Sequence, residues 1–200
     1  MKILIVTAHP DDCEFSIGAT LAKLSRLDNE IKIHVFSTSD TIEGNEGIVK
    51  ESERSIHGIY NLDLNLHKYP TMHFIEHYQE IRDDIFRIKQ EFHPDVVYCK
   101  SPKSIHPDHR VIGEACESIF LESTIYGMES IRDGHNQHIN KWVEVSEEDL
   151  DVKISAIMCY KSQSRRGYRN SELIKSIARM RGNQVGRKFA EGFEVIRDVS

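Results

Sequence analysis

Short aliphatic runs alternate with stretches of helical periodicity along all 200 residues, and this alternation is what most constrains the fold. Lys2–Thr7 reads as a buried strand, and Lys32–Ser37, Asn65–Tyr69, Val96–Cys99, Thr124–Met128, Trp142–Val145 and Phe189–Ile196 as further strands. Between them, apolar residues at helical spacing predict helices over Ser16–Leu27 (with Ser16 as N-cap), Ile48–Ile59, His73–Phe92, Asp108–Phe120, Glu147–Met158 and Glu172–Met180. Polar segments rich in glycine or proline, such as Thr38–Gly47, Lys100–Pro107 and Glu129–Asn140, read as loops. Strand–helix alternation of this kind implies an α/β domain: a Rossmann-like, mostly parallel sheet with helices on both faces, formed by residues 1–200 as one unit.

Ligands of such sheets sit beyond the carboxyl ends of the strands. Two unusual clusters fall there. Ala8-His9-Pro10-Asp11-Asp12 follows the first strand, and His106-Pro107-Asp108-His109 follows the Val96–Cys99 strand. Adjacent carboxylates repel each other, and a divalent metal relieves that repulsion while taking His and Asp as ligands. Catalytic zinc typically takes three protein ligands and leaves one position for water, so two histidines and one carboxylate from these loops suffice. Either cluster alone reads equally well as a helix-capping turn, with Asp108 suited to a helix N-terminus. Their joint placement at two strand ends favours a metal.

These motifs resemble those of the LmbE-like (PIG-L) family of zinc-dependent N-deacetylases. The first is His9-Pro10-Asp11-Asp12-Cys13-Glu14, leading to Gly18-Ala19-Thr20, and the second is His106 to His109. Tyr160-Lys161-Ser162-Gln163 and Phe189-Ala190-Glu191-Gly192-Phe193-Glu194-Val195 extend the resemblance along the chain. It implies His9, Asp12 and His109 as ligands of one Zn2+ per chain, with Asp11 as general base. It places His106 beside the metal to assist the leaving group or, as an imidazolium, the oxyanion. It implies Arg54 as a substrate-binding residue. Cys13 stands where the family's common form has Glu, and a packing role is expected for it. No oxyanion partner precedes the second motif, where Ser104 and Ile105 stand.

The implied activity is removal of the acetyl group from an N-acetylated amino sugar or its conjugate. His73 is a candidate sugar contact. Arg165, within the basic stretch Arg165–Arg169, is a candidate for binding a phosphate on the sugar, because guanidinium presents a fork of donors. A net charge of −6 argues against nucleic acid as a partner. No apolar run has the length of a membrane span or signal-peptide core, so a cytoplasmic protein is expected, as a homo-oligomer like many of the family. Four scattered cysteines form neither a disulfide framework nor a C-x-x-C zinc site, whereas eleven histidines exceed what a core needs. The alternative is a non-catalytic sugar- or nucleotide-binding module, but that requires a glycine-rich loop where His-Pro-Asp-Asp stands. A two-metal phosphoesterase needs more ligands than the two motifs offer.

Overall fold

The computed structural model describes residues 1–37, 47–164, 167 and 169–199. Its strands are β1 (Lys2–Thr7), β2 (Glu30–Ser37), β3 (Leu64–Tyr69), β4 (Val96–Lys100), β5 (Thr124–Met128), β6 (Lys141–Glu144) and β7 (Ala190–Arg197). The helices are α1 (Asp12–Ser25), α2 (Ile48–Ser55), α3 (Tyr78–Phe92), α4 (Pro107–Ile119), α5 (Glu147–Met158) and α6 (Ser171–Asn183). The strands join in one sheet of order β3-β2-β1-β4-β5-β7-β6. β1 to β5 pair in parallel, and β7 runs antiparallel to both β5 and β6.

Alternation along β1 explains how the sheet is covered on both faces. Leu4 and Val6 enter one apolar cluster with Ile81, Ile85, Val111 and Ile112 of α3 and α4. Ile3 and Ile5 enter the other, with Ile17 and Leu21 of α1 and Ala156 of α5. Burial of such side chains stabilises the fold by roughly 1.5–3 kcal/mol each.

Chain order reverses between β1 and β4, so the crevice of this sheet opens at their carboxyl ends, where both motifs emerge. Gly113 lets α4 approach the loop leaving β4. A Cβ there would lie 2.6 Å from the Lys100 carbonyl oxygen and 2.4 Å from the Pro102 nitrogen, which the chain cannot accommodate. The tail motif has a structural task. Glu191 accepts hydrogen bonds from the Ala19 and Thr20 amides (3.1 and 2.6 Å) and from Lys153 Nζ (2.6 Å), fixing α1 and α5 to β7.

Two helix starts differ from the sequence reading. α1 begins at Asp12 rather than Ser16, because the charged Asp12 and Glu14 of its first turn flank Cys13 and mask the apolar period it shares with Ile17 and Leu21. α3 begins at Tyr78 rather than His73. Residues 70–77 instead form turns, with Met72 at φ 70° and Phe74 turned into the core. Thr38–Gly47, read as a loop, lies outside the described residues apart from Gly47.

Candidate active site

The β1–α1 turn is braced from behind. The Pro10 carbonyl, fixed in a proline turn, accepts from Ser52 Oγ of α2 (2.9 Å) and from the Tyr160 hydroxyl after α5 (2.8 Å). The same hydroxyl lies 2.7 Å from Glu14 Oε1. Burial pushes the Glu14 carboxyl up to about 8, so at neutral pH it keeps its proton and can donate to Tyr160. Glu14 is wholly buried and does not line the cavity. Cys13 is likewise buried among Ile17, Tyr60 and Tyr98, and acts as a packing residue.

Beyond this turn lies a cavity of about 470 Å3, walled by His9, Asp11, Asp12, Lys100, His106 and His109, with the 129–133 segment opposite. Three donor atoms converge within it. His9 Nδ1 lies 3.1 Å from His109 Nε2, His9 Nδ1 lies 3.4 Å from Asp12 Oδ2, and His109 Nε2 lies 3.2 Å from the same oxygen. Tetrahedral zinc with bonds of about 2.0–2.1 Å has ligand–ligand edges of about 3.3–3.4 Å, so the triangle fits the ion closely.

Carboxylates behind each ring fix which nitrogen faces the centre. Asp108 Oδ2 lies 3.1 Å from His9 Nε2, and Asp133 Oδ2 lies 2.5 Å from His109 Nδ1. Asp108 holds the Nε2–H of His9 in a hydrogen bond, leaving Nδ1 as a lone-pair donor, and the Asp133 carboxylate beside His109 Nδ1 favours the proton on that nitrogen by charge, leaving Nε2 toward the centre. Two such lone pairs and a carboxylate oxygen repel unless a cation sits among them. The same carboxylates also draw a proton to His9, which competes with a metal ion for that lone pair. Burial pulls the His9 imidazolium down, but Asp108 and Asp12 overcome it and hold it up to about 10. Asp12 stays well below the usual carboxylate range despite its burial, through His109 and Lys100.

Asp108 is clamped in turn by the turns after β3, accepting from the Met72 amide (2.7 Å) and the Phe74 amide (3.4 Å). It therefore serves His9 rather than the helix N-terminus. The capping task falls to His106, whose Nδ1 accepts from the Asp108 amide at 3.2 Å. That bond leaves the His106 proton on Nε2. Burial, with His109 and His9 adding repulsion, drives the His106 imidazolium down to about 4, which favours the neutral ring. A His106 nitrogen also lies within 4.8 Å of those of His9 and His109, so the three imidazoles form a group able to hold a metal ion.

His73 and Arg54 do not line this cavity. His73 is exposed and bonded through Nδ1 to Glu76 (2.9 Å), because the Met72 and Phe74 amides on either side turn inward to Asp108. Arg54 is exposed on α2 and is absent from the cavity wall. Arg165 and Arg166 lie outside the described residues. Arg169, from the same stretch, donates to the carbonyls of Ile157 and Met158 (3.4 and 2.8 Å), closing the end of α5. Sequence reasoning missed Asp133 and Lys100. Asp133 carried no signal, being one carboxylate in a polar loop. Lys100 was detectable as the last residue of a strand, where alternation with Cys99 sets its face.

The sequence profile of PIG-L, described as GlcNAc-PI de-N-acetylase, matches residues 4–120, a span that holds both motifs. The chain belongs to the PIG-L family. It is 22% identical to the diacetylchitobiose deacetylase of Thermococcus kodakarensis, over 99% of this chain and 84% of that protein. Its fold superposes on N,N′-diacetylchitobiose deacetylase from Pyrococcus horikoshii with a TM-score of 0.79, at 22% identity, covering 97% of this chain and 83% of the other. A similar fold is found in the 4-carboxy-2-hydroxymuconate hydratase of Pseudomonas putida, with a TM-score of 0.77 at 16% identity over 100% of this chain and 97% of the other. The fold therefore does not by itself name the chemistry.

Proposed function

We propose that the protein is a zinc-dependent hydrolase that removes the acetyl group from the nitrogen of an N-acetylated amino sugar or its conjugate. The observation that carries this reading is the triangle of His9 Nδ1, Asp12 Oδ2 and His109 Nε2, with edges of 3.1–3.4 Å, in a cavity that Asp11 also lines. Membership of the de-N-acetylase family supplies the bond to be broken. The triangle favours these three ligands over the three-histidine set, because His106 Nδ1 is already committed to the α4 backbone.

Zinc, when bound, lowers the pKa of water to about 7 and polarises a carbonyl. The chain's own residues do the rest. Asp11 stands at the N-terminus of α1, one residue before a ligand. It accepts the proton of the attacking water as the water oxygen bonds to the acetyl carbon. It then delivers that proton to the departing nitrogen as the C–N bond breaks, leaving acetate and a free amine. His106, neutral, offers Nε2–H as a hydrogen-bond donor rather than a charge. For a phosphate on the sugar, Arg165 remains the proposed partner, and Arg169 is occupied at the end of α5.

The test is acetate release from a panel of N-acetylated glycosides and sugar phosphates, by protein stripped with a chelator and reloaded with zinc. Zinc-dependent release of acetate and amine in equal amounts is expected. Absence of acetate from every member with zinc bound would reject the reading.

A further inference from the structure

The carbonyl oxygen of an amide gains negative charge as water adds to its carbon, and a buried cation aimed at that oxygen stabilises the change. The resemblance names no such group apart from His106, and His106 Nδ1 caps α4, which leaves its ring a neutral donor. Lys100 has the missing property. It closes β4, where strand alternation turns it to the same face as Tyr98, toward α1. Its side chain is 2% exposed, a degree of burial that lysine tolerates only when paired. The ammonium lies 3.1 Å from Asp12 Oδ1 and 3.2 Å from Ser16 Oγ. An ammonium carries three N–H donors, so these two partners leave one, and Lys100 lines the same cavity as Asp11 and His106. Asp12 divides its oxygens: Oδ2 faces His9 and His109, and Oδ1 faces Lys100. The positive charge therefore sits one carboxylate away from the donor triangle, inside the cavity, where low dielectric strengthens it.

We propose that Lys100 is a catalytic residue whose ammonium binds the substrate's acyl oxygen as it becomes negative, and then binds the carboxylate of the released acetate. Ser16 is a positioning residue that aims the ammonium. The proposal rests on the amide-hydrolase reading above. It exchanges no atoms, because Lys100 keeps its proton throughout and only its hydrogen-bond partner changes. The competing account is that Lys100 does no more than anchor Asp12.

Zinc-loaded wild type, Lys100→Met and Ser16→Ala separate the two accounts through metal content, kcat and KM on an N-acetylglucosaminide, and acetate affinity measured by inhibition or calorimetry. Lys100→Met, similar in length and uncharged, is expected to hold its zinc while kcat falls about 10²–10³-fold, the usual effect of removing one oxyanion donor. Its acetate affinity is expected to fall at least about tenfold, and Ser16→Ala is expected to show smaller losses of both. Loss of zinc together with activity in Lys100→Met makes the residue an anchor and overturns the proposal, as does an unchanged kcat. Acetate binding keeps the test independent of the substrate reading. If the wild type hydrolyses no N-acetylated sugar, that reading fails alone, and equal acetate affinity in wild type and Lys100→Met overturns the role of Lys100. Should Lys100→Met not fold, Ser16→Ala decides, and unchanged kcat and acetate affinity in it overturn the proposal.

Discussion

Two histidine pairs in this molecule share one distance and differ in everything else. His9 Nδ1 and His109 Nε2 lie 3.1 Å apart at the carboxyl edge of β1 and β4, and His34 Nδ1 and His67 Nε2 lie 3.1 Å apart between β2 and β3. The first pair meets Asp12 at 3.2–3.4 Å and has a carboxylate behind each ring. The second pair has one carboxylate, Asp84, behind His67 at 3.3 Å, shared with the Tyr69 hydroxyl (2.8 Å) and Arg87 (3.0 Å). His67 also stacks on Phe36 at 4.2 Å. The protonation tendencies run in opposite directions: His9 is held up to about 10, whereas burial, followed by His67 and Lys32, drives His34 down to about 4. The carboxylates, rather than the imidazoles, decide which pair collects positive charge. The first is built for a cation, and the second is a neutral chain in which His34 donates to His67 and His67 to Asp84.

Removing one imidazole from each pair gives the largest contrast. His109→Ala is expected to lose zinc and essentially all turnover while staying folded, whereas His67→Ala should keep a full complement of zinc. Metal analysis and circular dichroism on both variants check this. Full zinc occupancy in His109→Ala would break the assignment of the first pair.

Asp11→Asn sharpens the contrast within the first cluster, between ligands and base. The amide keeps the size of the side chain but cannot take the water proton. Zinc content should persist while kcat falls about 10²–10⁴-fold. Near-normal turnover would move the proton to another group. Glu14, wholly buried and bonded to Tyr160, is poorly placed to receive it.

The carboxylates behind the rings come next. Asp108→Asn and Asp133→Asn should each weaken zinc binding about 10–100-fold, because the ring they orient is freed and made less basic. Competition with a chromogenic chelator measures the change. Unchanged affinity in Asp133→Asn would mean that Ser104, which donates to Asp133 at 3.0 Å, and the rest of the loop hold His109 without help from that charge.

These carboxylates also mark where the sequence stopped being legible. The sheet was readable because β1 and β4 carry uninterrupted apolar runs, and the strand-end rule placed both motifs at the reversal between them. The motifs alone offered two histidines and one carboxylate; the set of His9, Asp12 and His109 came from the resemblance, and the fold brings those three within 3.1–3.4 Å. The start of α1 was missed because Asp12 and Glu14 flank Cys13 in the first turn and mask the apolar period it shares with Ile17 and Leu21. The start of α3 was missed because exposed Ile75 mimics the helical period, while its neighbour Phe74 is the residue that packs near His9. Asp133 reaches His109 only through the path of the loop after β5, and no local pattern encodes that path. Arg54 came from the family's pattern and His73 from its residue type; neither lines the cavity, and His73 pairs with Glu76 instead.

The smallest expected effect tests the second pair. An unfolded histidine titrates near 6.5, and burial beside His67 and Lys32 holds His34 down to about 4 in the fold, with Asp84 opposing weakly. Above pH 6.5 the imidazole is neutral in both states and contributes no pH dependence. As pH falls from about 6.5 toward 4, the unfolded chain takes up a proton that the folded chain refuses, so stability is lost over that window. Between pH 7 and pH 5 the loss from this one group is about 1–2 kcal/mol. His34→Gln keeps a donor for His67 and does not titrate. Denaturant midpoints of zinc-loaded wild type and variant at both pH values isolate the effect, since contributions from the zinc cluster cancel in the difference. The wild type should lose about 1–2 kcal/mol more than the variant on acidification. Equal losses would show that His34 accepts a proton in the fold, and the division between a cation-seeking pair and a neutral one would then have to be redrawn.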